Sequence, residues 1–443
     1  MATRRLPRTP ESPQSMTIAG FKSISDPLRV DLGKLTVLAG ANSAGKSSLI
    51  QPLLLLKQSL DAPFDPRTLR LDGPSVYFSR GSQIFSTGIP RKFSVALNYS
   101  NRSEELSFLM GDGDQLVPGP NRLTTGTREI VFDGTTSRES LRNFVAERFR
   151  GLPQQFSDID IWRWRCGWTV GVNASEYEPG QQESLPRRLP LASCEGSFTR
   201  FLERLIHVPG LRGRPSRNYP LTAVGPGYAG PFDSYVASVV KSWQDLKDER
   251  LSELGKQLGS MGLSWKIRAE RIDDVQVELK VGRLPHATQG GARDLVSIAD
   301  VGIGVSQVLP VLVALLAAAP ADTVFVEQPE IHLHPRAQRA LATPLVDAAL
   351  RGVNVIVETH SHLLLTELQH RVARGDFRDP SEVKFHWLSR DEQSGRSRID
   401  TAELTGSGAY GEWPVDFDDV LAETQDAYIA AAHASLKAAS TRR

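Results

Sequence analysis

Three short runs of residues have the composition and spacing of reacting groups. Residues 40–47, GANSAGKS, fit the spacing G-x-x-x-x-G-K-[S/T] with Gly40, Gly45, Lys46 and Ser47. An apolar run at 34–39 precedes them and a helical pattern, SSLIQPLLLLKQSL, follows, which is the context such a loop requires. Glycines let the backbone wrap phosphate oxygens with its N–H groups, and the helix N-terminus adds a favourable dipole. Lys46 would reach β- and γ-phosphates, and the Ser47 hydroxyl would ligate Mg²⁺. Gly40, Asn42, Ser43, Ala44, Gly45, Lys46, Ser47 and Ser48 are therefore the expected nucleotide-binding residues.

The second run is TVFVEQPEIHLHP at 323–335, an apolar strand ending in acids, which is how a carboxylate is brought beside Mg²⁺ at a phosphate loop. The third is VNVIVETHSH at 353–362, an apolar strand ending at Glu358, Thr359 and His360. A histidine at the ligand edge of a parallel sheet is placed to sense a γ-phosphate. Glu327, Gln328, Glu330 and His360 are the expected catalytic group.

The elements around these runs divide the chain. Residues 16–38 read as short strands, and the helical stretch after the phosphate loop is expected to be interrupted by Pro52 near its first turn. Phe93, Val95, Leu97 and Tyr99 alternate with polar or small residues, as do Val275, Val277, Leu279 and Val281; both read as half-buried antiparallel strands. Residues 235–258 carry apolar side chains at helical spacing, whereas 109–127 and 171–197, rich in Gly, Pro, Ser and Gln, read as loops. From about residue 290 a helix at 308–319, a strand at 323–326, a helix after Pro335 and a strand at 353–357 predict a parallel sheet covered on both faces.

Taken together, the phosphate loop following MTIAGFKSI, the EQPEIHLHP box and the ETHSH box resemble the ABC-type ATPases of the RecF/SMC/OLD group. More narrowly they resemble bacterial AAA family ATPases with an OLD-like head and a small C-terminal domain. HVPGLRGRPSRNY (207–219) and GEWPVDFDDV (411–420) are similar to that subgroup too. The resemblance implies an α/β P-loop head with an antiparallel β subdomain and a helical/β insertion. It implies ATP and Mg²⁺ as cofactors, a homodimer formed around two nucleotides, and a role in DNA repair or anti-phage defence. The implied signature turn is DVGIGVSQVLP (300–310), where Ser306, with Gly302 and Gly304, would reach the γ-phosphate of the other subunit.

Related heads read Asp-Glu-Pro at the acidic box. Aligned on Pro329, Glu327 takes the metal position and Gln328 falls at the catalytic one. Glutamine orients a water but cannot accept its proton. Either Glu330 is the base from a shifted position, or hydrolysis is slow and the ATP-bound dimer is long-lived. The alternative function is accordingly a slow or non-hydrolysing switch that scaffolds a partner without DNA. His332 and His334 suggest a metal pair, but in the family comparison they lie where the loop meets the partner head. Gln83 is the candidate for the glutamine that such heads place near the nucleotide.

Composition bounds the rest. Across 443 residues, 40% hydrophobic and with a net charge of +1, global disorder and a polycationic nucleic-acid binder are both excluded. Any DNA contact must be local: Arg200, Arg204, Arg212, Arg214 and Arg217 form either a candidate phosphate-binding patch or a solvated or inter-lobe salt-bridged face. In IWRWRCGW (161–168), Trp162 and Trp164 fall on one face of a strand and the arginines on the other, which favours packing over base stacking. Two cysteines, Cys166 and Cys194, make no disulfide framework and suit a cytoplasmic protein. The expected divisions are a flexible extension (1–15), the N-terminal head (16–60), the β subdomain and insertion (61–290), the C-terminal head (291–400) and a C-terminal segment (401–443). The stretch after His360 is short for a nuclease domain, so an effector protein is expected on a separate chain.

Overall fold

The computed structural model describes residues 11–63, 68–86, 91–111, 115–148, 159–164, 166–175, 186–193, 196–225, 227–284, 294–410 and 426–431. GEWPVDFDDV, Arg165 and Cys194 lie outside them. At the centre is a six-stranded sheet whose order is Leu205–Val208, Thr323–Glu327, Asn354–Glu358, Leu35–Gly40, Val383–Arg390 and Ser397–Ala402. The first five strands are parallel, and the last closes an antiparallel hairpin. Parallel strands need cover on both faces. Val37, Val326 and Val357 accordingly enter one core, while Leu38, Phe325 and Ile356, from the same strands, enter another.

The first core is closed by the helices Ile303–Ala317, Ala342–Leu350 and His362–Ala373, and the second by Lys46–Leu60. Pro52 does not interrupt Lys46–Leu60: the helix is continuous through it. Burial of Leu49, Leu53, Leu54, Leu55 and Leu56 outweighs the roughly 3 kcal/mol a mid-helix proline costs.

A seven-stranded antiparallel sheet packs beyond that helix. In its Lys92–Asn98 strand, Phe93, Val95 and Leu97 are buried, as their alternation predicts. The strands Ser15–Ala19 and Leu28–Asp31 belong to this sheet. Residues 11–15 are not the flexible extension expected of them. Gln14 N–H donates to the Asn98 carbonyl at 2.7 Å, Ser15 is fully buried, and Ser12 accepts from Asn354.

Two stretches read as loops also contain strands: Leu116–Pro118 and Asn121–Thr125, then Gly167–Ser175 and Pro186–Ser193. Their polar and glycine residues sit in ladders whose pairing satisfies the backbone whatever the local propensity. The helical run from 235 splits into Val236–Leu246 and Glu249–Ser260 at Lys247, which adopts φ 54°, with Asp248 capping the second helix through Arg250 N–H. Trp168 is buried in a small satellite core and its indole N–H donates to the Gly119 carbonyl at 2.9 Å.

Candidate functional site

The loop 40–47 leaves the end of its strand in a backbone path that glycine makes possible. Gly40 has φ 140° and a Cβ there would lie 2.1 Å from the Leu388 carbonyl oxygen; Gly45 has φ 106° and a Cβ would lie 2.1 Å from the Ser397 hydroxyl. Ser43 is also left-handed, at φ 63°. Lys46 opens the helix, is 4% exposed, and its Nζ donates to the Gly40 and Ala41 carbonyls at 3.0 and 2.8 Å. Burial lowers the Lys46 pKa, opposed by Glu358 and Glu330.

A cavity of about 770 Å³ opens over this loop. Of the residues expected from sequence, Asn42, Ser43, Gly45, Lys46, Ser47, Ser48, Gln328 and His360 line it, and so does Gln83. Gly40 and Ala44 are not among the lining residues: they shape the loop from behind, Ala44 accepting from Ser397 Oγ at 2.7 Å. Sequence reasoning missed Lys22, Gln51, Glu358, Arg390 and Arg396, which also face the cavity. Lys22 was visible as the lysine of GFKS; its Nζ donates to Gln51 at 2.6 Å and lies 4.7 Å from the Phe78 ring centroid.

The acidic groups are arranged differently from the expectation. The strand next to the phosphate loop is Asn354–Glu358, and Thr323–Glu327 is one strand further away. Glu358 therefore meets the loop, with the Ser47 hydroxyl donating to its Oε2 at 3.5 Å. Glu327, its in-register neighbour, turns the other way: Oε1 pairs with His207 Nε2 at 3.0 Å and Oε2 accepts from Gly210 N–H at 3.1 Å. Those bonds hold Glu327 ionised against the cost of its burial, whereas burial and then Glu327 push Glu358 up to about 7. His207, buried and stacked on Phe325, was quoted only as part of a stretch and had no separate sequence signal.

Glu330 does not line the cavity. It is 8% exposed, Oε1 accepts from His360 N–H at 2.7 Å, and Oε2 is buried with no hydrogen bond among the described residues. Burial raises its pKa. Gln328 does reach the cavity, on a left-handed backbone of φ 40° held by three bonds: its N–H donates to the Glu358 carbonyl at 2.7 Å, and its carbonyl accepts from Arg212 Nη2 at 2.9 Å and from Ile331 N–H at 3.3 Å. The His360 pKa is lowered by burial and then by Lys46, which favours the neutral ring.

Gly304 and Ser306 are absent from the cavity lining, and Ser306 Oγ donates to the Ile303 carbonyl. The next residue, Gln307, is buried and donates to the Arg212 carbonyl at 3.0 Å. The helix Ile303–Ala317 thus grips the 207–217 loop, which grips Gln328.

The five arginines do not form one basic surface. Arg212 is 7% exposed beneath the acidic box, where burial pushes its guanidinium down to about 10. Arg204 pairs with Asp322 at 2.8 Å and Arg217 with Asp300 at 2.6 Å; Arg200 and Arg214 are exposed. Spacing in sequence suggested a patch, but Arg212 is turned inward and Arg204 and Arg217 are taken up in ion pairs.

Ser47 and Glu358 fit Mg²⁺, an ion that takes oxygen ligands, few of them from protein, whereas Glu327, expected at the metal, has both oxygens engaged by His207 and Gly210. A divalent charge would favour ionised Glu358 where burial disfavours it. His334, by contrast, caps the helix Pro335–Ala340 by accepting from Arg336 N–H. Among the described residues no group of three or more His, Cys, Asp or Glu side chains is placed to hold a metal. No helix among them is long and apolar enough to cross a membrane.

Comparison with known proteins adds a partial family match. Residues 241–366 match the family described as "AAA domain, putative AbiEii toxin, Type IV TA system". No curated protein matches the chain. Solved structures that do match include an SMC head bound to the C-winged helix domain of ScpA, 14% identical with a TM-score of 0.41, covering 89% of this chain and 98% of that one. The SMC head domain from Thermotoga maritima is 12% identical with a TM-score of 0.36, covering 89% and 100%. An Smc head with an extended coiled coil, bound to the C-terminal domain of ScpA derived from Pyrococcus furiosus, is 11% identical with a TM-score of 0.41, covering 88% and 96%. The AAA match takes in the Gly302–Ser306 turn, the acidic box and His360, and leaves the phosphate loop outside it: over those 126 residues the chain is similar to an AAA domain.

Proposed function

We propose that this protein binds ATP with Mg²⁺ at the 40–47 loop, hydrolyses it slowly, dimerises on ATP and controls a partner protein. One observation carries the reading: Lys46 and Ser47 share a single cavity with Gln328, Glu358 and His360. Lys46 and the loop N–H groups bind the phosphates, and Ser47 and Glu358 hold the cation, which supplies charge neutralisation between phosphates. Gln328 orients the attacking water, and neutral His360 donates to or senses the γ-phosphate. Glu330, the carboxyl that follows in the box, is turned away, and Glu358 is taken up by the cation, so neither is free to accept the proton and the ATP-bound form persists.

The exposed start of the Ile303–Ala317 helix, with Gly304 and Ser306 outside this chain's own cavity, supports their use against the nucleotide of a second copy. The OLD-like resemblance supports a cytoplasmic role in DNA repair or anti-phage defence, with an effector on a separate chain. The alternative, a nucleotide-dependent scaffold without DNA binding, draws support from the dispersal of Arg204, Arg212 and Arg217 into internal contacts.

Light scattering after size exclusion tests the proposal. The wild type is expected to double in mass with ATP and Mg²⁺ and Lys46→Ala to remain unchanged. A wild type that stays monomeric with ATP would remove the two-head reading.

A further inference from the structure

The phosphate end of the cavity accounts for only part of its lining. Lys22, Ser23, Ser25, Gln51, Gln83 and Phe85 form one further stretch of it, and the hairpin joining Val383–Arg390 to Ser397–Ala402 forms another, through Arg390, Ser394, Gly395 and Arg396. Sheet order places this hairpin on one side of the phosphate-loop strand and the strand ends bearing Gln328, Glu358 and His360 on the other. A triphosphate whose terminal phosphate faces Gln328 and His360 must extend its nucleoside toward the hairpin.

The tip is built to hold a shape. Asp391 N–H donates to the Arg396 carbonyl at 2.9 Å and Gly395 N–H to the Asp391 carbonyl at 2.8 Å. Gly395 turns the chain at φ 67°, a region that disfavours other residues. Arg390 Nε donates to the Gly395 carbonyl at 2.8 Å, and its Nη2 lies 3.6 Å from where a Gly395 Cβ would be, so the guanidinium lies along the turn. Arg396 is steadied by Asp26 at 2.9 Å. The base of the hairpin is bolted to two neighbours: Ser397 N–H donates to the Ser23 carbonyl at 2.9 Å, and Ser397 Oγ to the Ala44 carbonyl of the 40–47 loop at 2.7 Å.

We infer that this hairpin is the nucleoside-binding wall of the site, with the Arg390 guanidinium offering a cationic plane to the base. The inference rests on the reading of the cavity as a nucleoside triphosphate site. A planar cation stacks on any base, since every base presents a π-face. Ser394 is the one neutral hydrogen-bonding side chain the hairpin offers to the cavity, too little to read a base edge. The wall therefore holds purines by shape, and selectivity between ATP and GTP is low.

Competition binding with ATP, GTP and inorganic tripolyphosphate tests this. For the wild type, GTP is expected within about threefold of ATP. Arg390→Ala is expected to weaken ATP about tenfold while tripolyphosphate stays within about twofold, which also shows that the variant is folded. Arg390→Lys keeps the charge without the plane and is expected to recover less than half of that loss. Lys46→Ala loses both ligands. Equal weakening of ATP and tripolyphosphate in Arg390→Ala, or ATP binding left unchanged, would overturn the inference alone. A wild type that binds neither ligand would overturn the nucleotide reading, and the inference with it.

Discussion

The Glu330 carboxylate and the His360 backbone are joined by a 2.7 Å hydrogen bond that ties the acidic box to the neighbouring strand end. The two belong to segments thirty residues apart, and the bond fixes where His360 enters the cavity. Glu330 thus positions His360, and its own side chain does not line the cavity.

Glu330→Ala is expected to destabilise the fold by about 2 kcal/mol, the scale of a charge-assisted bond lost in a buried setting, and to lower turnover. Glu330→Gln keeps an acceptor for His360 N–H and is expected to restore most of both. Thermal melts and phosphate release measure the pair. Two variants equally inert in turnover, both folded, would instead make Glu330 the base.

Arg212 holds the Gln328 carbonyl while its Nε and Nη1 are buried without hydrogen bonds. Arg212→Met removes a desolvated charge along with the bond, so stability is expected to change by less than about 2 kcal/mol. The left-handed Gln328 turn loses a restraint, and turnover is expected to fall about tenfold at unchanged ATP affinity. Turnover equal to the wild type would show that Gln328 is positioned without it.

Glu358 supplies a pH dependence. Its folded-state pKa is raised to about 7 by burial and then by Glu327, above the ordinary carboxylate value, so the folded state holds a proton the unfolded state has released. Stability from this group is present below about pH 4.5 and is lost as pH rises toward 7. Without nucleotide or Mg²⁺, Glu358→Gln is expected to melt higher than the wild type at pH 8, by on the order of 2 kcal/mol, and alike at pH 4.5. Parallel melting curves across that range would remove the assignment.

The phosphate loop, the parallel strands and the strand-end histidine were legible because each is local: a glycine spacing or an apolar run specifies it without knowledge of neighbours. The partner of Ser47 was not legible. Strand order decides it, and nothing in EQPEIHLHP or ETHSH says which of the two strands adjoins Leu35–Gly40. Arg212 was misread for the same reason, since an arginine in a basic run shows no sign of being turned inward onto Gln328. The loops at 109–127 and 171–197 hid strands because pairing in a sheet overrides the composition of the paired residues.

The account rests on Gln328 occupying the place of a general base. Its most direct test is single-turnover phosphate release by the wild type and by Gln328→Glu, at saturating ATP and Mg²⁺. The account predicts at least about tenfold faster release in Gln328→Glu, the scale of adding a positioned base, with ATP affinity unchanged. A wild type already as fast as Gln328→Glu would contradict it.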